Sequence, residues 1–101
     1  MHYLVMANVA KIGRFSLKVH NSLVHGGPYL AVQVGKKRVA WISFKTCLHT
    51  TYAGVTARDL EGIEEVERWL ADDSNFNRAA AVWNGLGNGV TVVFKKKEKP
   101  K

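Results

Sequence analysis

The sequence predicts an α+β domain: a mostly antiparallel sheet of four to five strands with two helices packed on one face, in the order β-β-β-α-α-β. Three observations lead there. Apolar and polar residues alternate with a period of two through much of residues 14–45, the pattern of half-buried strands. A helix-start signal near Thr56 is followed by apolar residues at helical spacing. At 101 residues, 47% of them apolar, the chain is long enough for one core and too short for two.

The first strand spans Arg14–Val19, with Arg14, Ser16 and Lys18 on one side and Phe15, Leu17 and Val19 on the other. Gly26-Gly27-Pro28 breaks the chain, and His20, Asn21 and Ser22 before it suit a loop or a fraying strand end. Tyr29–Val34 is the second strand, Gly35-Lys36-Lys37 a tight hairpin, and Arg38–Lys45 the third strand. The apolar first ten residues add a possible edge strand. Thr56-Ala57-Arg58-Asp59 then carries the Ser/Thr-x-x-Asp/Glu capping pattern, and Leu60, Ile63, Val66 and Leu70 make residues 57–71 an amphipathic helix with an acidic outer face. Asp73 or Ser74 caps a second, shorter helix that runs through Phe76, Ala79, Ala80 and Trp83 and ends at Asn84-Gly85. Asn88-Gly89 turns into a last strand, Val90–Phe94, with Phe94 in the core. The domain is expected to cover residues 1–94, with residues 95–101 as a flexible basic tail.

Charge is segregated along this layout. Residues 1–55 hold seven cations and no carboxylate, residues 56–73 hold two arginines against seven carboxylates, and residues 74–101 hold six cations against one glutamate, for a net charge of +7. An unopposed positive segment of that length attracts polyanions; the competing explanation is a lysine-rich solubility device of the kind found in thermophilic domains. No run of 18 apolar residues offers a membrane span, and Met1–Met6 lacks the basic flank and long apolar stretch of a signal peptide. A single cysteine, Cys47, allows no internal disulfide and fits a reducing compartment. The expectation is a cytoplasmic protein without a membrane partner.

If the three central strands pair in succession, their apolar faces align as one core layer, and the opposite face carries Arg14, Lys18, Tyr29, Gln33, Trp41 and Lys45. Rings and cations on one surface do complementary work on single-stranded nucleic acid. Bases stack on aromatic faces for about 1–3 kcal/mol each, and Lys or Arg neutralise phosphates. A duplex offers no such access to its base faces. Lys18, Lys45, Arg14 and the Lys36-Lys37-Arg38 turn are therefore the candidate phosphate contacts, and Trp41 and Tyr29 the candidate stacking residues. The competing expectation places Tyr29 and Trp41 in a second core layer, covered by residues 1–10 or by the loop 46–55. Trp69 and Trp83, at apolar helical positions, belong to the core.

Catalytic signals are weaker. Cys47 and His49 lie two apart, near Tyr52, with no orienting group. His2, His20, His25 and His49 have no zinc-ligand spacing with the one cysteine. Gly85–Gly89 precedes a strand rather than a helix and lacks the following Lys-Ser/Thr of a phosphate loop. Glu64, Glu65 and Glu67 lie on the solvated helix face. The chain reads as non-enzymatic, without cofactor or metal. A rival reading is a protein–protein module, in which the acidic helix and the basic sheet are complementary patches that dock a partner or a second copy, giving a possible homodimer.

Arg38-Val-Ala-Trp-Ile-Ser-Phe-Lys45, the helix Asp59 to Leu70 and Gly89-Val-Thr-Val-Val-Phe-Lys95 together resemble, in architecture, the ThermoDBP-related single-stranded-DNA-binding proteins of hyperthermophilic archaea. In that group a sheet and helices form a basic cleft lined with apolar and aromatic residues. The resemblance covers residues 14–95 and implies single-strand binding, DNA before RNA, without base preference.

Overall fold

The computed structural model describes residues 6–20, 25–87 and 89–95. Five strands, β1 (Met6–Ile12), β2 (Phe15–His20), β3 (Tyr29–Val34), β4 (Lys37–Ser43) and β5 (His49–Thr51), form one antiparallel sheet in chain order. Two helices follow, α1 (Ala57–Ala71) and α2 (Asp73–Gly85). The α+β class, the antiparallel sheet and both helices agree with the sequence reading.

Register explains the sidedness. Leu17 pairs with Val32, Val32 with Ala40 and Leu30 with Ile42, so the apolar positions of the three central strands share a face. That face is closed by the helices. Ile63, Val66 and Leu70 of α1 and Phe76, Ala79, Ala80 and Trp83 of α2 are all buried with it, and Phe44 meets the rings of Phe76 and Trp83. Gly62 lets α1 approach so closely that a Cβ there would collide with the Phe15 ring. Trp69 is only half-buried against this core.

Local signals place the helices. The Thr56 hydroxyl accepts from the Asp59 N–H at 3.1 Å, and the Asp59 carboxylate accepts from the Thr56 N–H at 3.4 Å, a closed capping box. Asp72 ends α1 and caps α2 by accepting from the Asn75 N–H at 3.1 Å. Glu67 of α1 accepts from the His49 N–H at 2.9 Å and pairs with the His49 ring, which pins β5 to the helix.

The expected last strand does not join the sheet. Residues 90–95 lie along α2 instead, held by two side-chain amides that act as stand-ins for a neighbouring strand. Asn84 donates to the Val92 carbonyl at 3.0 Å and accepts from its N–H at 2.8 Å. Asn77 does the same for Lys95, at 2.9 and 2.8 Å. These asparagines are seven residues apart, a rise of about 10.5 Å along a helix. Val90 and Val92, two residues apart, both turn backbone groups towards α2, the two-residue period of extended chain. Among the described residues Phe94 is 50% exposed rather than part of the core. Lys95, the first residue of the expected basic tail, is hydrogen-bonded by Asn77; residues 96–101 of that tail lie outside the described residues. Among the described residues no helix is long and apolar enough to cross a membrane.

Candidate nucleic-acid interface

The sheet face turned away from the helices carries two registered rows. One runs Asn8–Lys18–Ala31–Trp41–Thr50 across all five strands, and the other runs Lys11–Ser16–Gln33–Arg38 across four. Strict alternation would put Arg38 on the Ala40 side. The register instead skips Val39 between Val32/Ala40 and Gln33/Arg38, and this bulge re-aims Arg38 onto the Trp41 side. An equivalent skip at Val9 puts Asn8 and Lys11 on this face together. Both bulge residues are buried, Val9 at 4% and Val39 at 1% exposure, so each irregularity is anchored by apolar burial.

A ring cluster stands over the face. His25 stacks on Trp41 with centroids 3.8 Å apart and planes 6° from parallel. Tyr52 meets Trp41 edge-on at 4.9 Å, and its hydroxyl lies 3.2 Å from His25 Nε2. Tyr29 meets His25 edge-on at 4.5 Å and also reaches Trp83 of α2 at 6.2 Å. His20 lies stacked at 6.2 Å from Tyr29, and its Nδ1 is 3.4 Å from Arg38 Nη2. A guanidinium only donates, so Nδ1 accepts and the His20 proton sits on Nε2, which has no hydrogen-bond partner among the described residues. Burial first, then the charges of Arg38 and Lys18 and the nearby His25, holds the His20 pKa below its ordinary value. Burial and Arg38 lower that of His25 in the same way. Both imidazoles are thus neutral rings at neutral pH, and the positive charge of the face comes from lysine and arginine.

The candidate residues divide accordingly. Lys18, Arg38 and Trp41 come together on the face, and Lys36 and Lys37 are exposed at the β3–β4 turn beside Arg38, where Gly35 adopts φ 60°. Arg14 does not join them. It occupies the turn before β2, because the strand starts at Phe15, and its guanidinium pairs with Asp59 of the capping box. Lys45 is exposed but sits past the end of β4, which stops at Ser43, at the far end of the sheet from the hairpin. Tyr29 is 2% exposed; the expected open stacking surface is not present there, because His25 and the end of α2 close over the ring. Trp41 is half-buried, with one ring face taken by His25 rather than open to solvent.

His20, His25, Tyr52 and Lys11 were not among the sequence-derived site residues. His20 continues the alternation of β2 on the Lys18 side, a signal that was present. His25 and Tyr52 arrive through loop closure, which leaves no trace in spacing. Among the described residues no group of three His, Cys, Asp or Glu could hold a metal. No protein-family model, curated protein or solved structure matches this chain.

Proposed function

We propose that this chain binds single-stranded nucleic acid, DNA before RNA and largely without sequence preference, across the sheet face opposite its helices. The observation that carries this reading is that the His25–Trp41–Tyr52 ring cluster shares a sheet face with Lys11, Lys18 and Arg38, beside the Lys36-Lys37 tip, on a half of the chain that contains no carboxylate. His25 lies on Trp41 as a stacked base would, so the incoming base either continues the stack on His25 or takes its place on the indole. Each stacked base contributes about 1–3 kcal/mol. The cations supply the phosphate contacts, and the neutral, partly exposed imidazole of His25 adds stacking surface without competing for the backbone.

The test is fluorescence anisotropy with labelled dT and rU oligomers over a salt series. Five cations on the face set an upper limit of about −3.5 for the slope of log K against log salt, taking roughly 0.7 per phosphate for single strands. Binding at low salt that falls steeply with added salt is the expected outcome. No binding of either oligomer at low salt contradicts the reading.

A further inference from the structure

The geometry points to a second copy of this chain pairing, strand against strand, along Thr91–Val93. The side-chain latch on α2 is selective. Asn84 takes both backbone groups of Val92, and Trp83 Nε1 donates to the Val90 carbonyl at 2.9 Å. In extended chain neighbouring residues point their N–H and C=O to opposite sides, so Thr91 and Val93 face away from the helix. Neither makes a backbone hydrogen bond among the described residues. The side chains beside this open edge are apolar and uncovered: Val93 is 82% exposed, Phe94 50% and Val90 40%. Between Val92 and Lys95 the latched side changes parity, which limits the open edge to these few residues.

A twofold axis through Val92 satisfies this edge with itself. Thr91 of each copy falls opposite Val93 of the other, and each such pair exchanges two N–H···O bonds, flanking a Val92–Val92 pair of the non-hydrogen-bonded kind. Val90 and Phe94 then meet across the strands, an aromatic–β-branched pairing of the favourable type. Residues 89–94 carry no charge, and Lys95 of the two copies falls at opposite ends of the pairing, so self-pairing brings no cations together at its centre. The two edges of the sheet itself are blunted: β1 carries Lys11 and a bulge, and β5 is three residues long.

Salt separates this interface from nucleic-acid binding. Two chains of charge +7 repel each other, and screening removes that repulsion, so dimerisation strengthens with the salt that weakens oligonucleotide binding. Sedimentation velocity on the full chain without nucleic acid, in about 0.5 M salt and up to about 1 mM protein, should show the mass rise from 11.2 kDa to twice that value. Val93→Lys and Val93→Pro should each hold the protein monomeric, with an unchanged circular dichroism spectrum, while dT binding persists. A monomer at every concentration, a dimer that both variants retain, or growth beyond two copies overturns the proposal; loss of dT binding alone does not bear on it.

Discussion

Gly62 lies inside α1, where glycine-to-alanine replacement ordinarily gains about 1 kcal/mol of helix stability. Here the added methyl would run into Cε2 and Cζ of Phe15, a ring that is itself 5% exposed and closed in by core neighbours. Overpacking of that kind costs about 1–3 kcal/mol, which exceeds the propensity gain. Gly62→Ala is expected to lower the melting temperature, at about 4–8 °C per kcal/mol for a domain of this size. A melting temperature above wild type would show that the ring yields. The same close approach determines the fate of Arg14. With α1 drawn onto Phe15, the preceding residue in the turn meets Asp59, whose pKa stays below its ordinary value because hydrogen bonds from Thr56 and Arg14 outweigh its partial burial. A residue that alternation assigns to the open face is thereby committed to the helix start.

At the scale of elements, α2 serves as both core helix and strand substitute. Asn84 satisfies both backbone groups of Val92, a residue only 8% exposed. Leaving a buried polar group without a partner costs about 1–3 kcal/mol, so Asn84→Ala should destabilise the domain by that order in urea unfolding. Equal stability of Asn84→Ala and wild type would mean the latch contributes nothing. Helix α1 was legible in the sequence because its cap at Thr56 is local, the signal and its partner lying three residues apart; the start of α2 was expected one to two residues late, with Asp73 or Ser74 as its cap, because Asp72 and Asp73 offer the same capping carboxylate side by side. The faces of β2 and β3 were legible for the same reason. The bulges at Val9 and Val39 were not, since a bulge is defined by two residues opposing one on the neighbouring strand, and no single strand contains that information. Val90–Phe94 has the composition of a strand, yet a strand needs a sheet edge to join. The asparagines at 77 and 84 offered it a helix instead.

Over the whole molecule, charge and fold divide along the same plane. Among the described residues the carboxylates cluster on the helices and their caps, the sheet half contributes only cations, and Asp59 and Glu67 meet Arg14 and His49 at its margins. The buried imidazoles give this arrangement a pH dependence with a definite sign. His20 and His25 titrate below 6.5 in the fold, chiefly through burial, so the unfolded chain takes up protons that the native state refuses. Stability is therefore complete above pH 6.5 and falls as pH drops below it. Glu67 is held low by its contacts with His49 in spite of partial burial, and it adds a further loss at more acidic pH, as its native carboxylate is protonated. Thermal melts from pH 8 to pH 5 should show a declining midpoint below 6.5, and His20→Gln should flatten that decline. A midpoint that rises on acidification contradicts the assignment.

The reading of the sheet face opposite the helices as the nucleic-acid surface is tested most directly by an amide and indole NMR titration of the intact chain with a dT oligomer at low salt. The account predicts shifts concentrated at Lys18, Ala31, Arg38, Trp41 and Thr50 and at the Trp41 indole N–H, with the Trp83 indole and the outer face of α1 unmoved. Shifts confined to α1 and α2, or none at all, would contradict it.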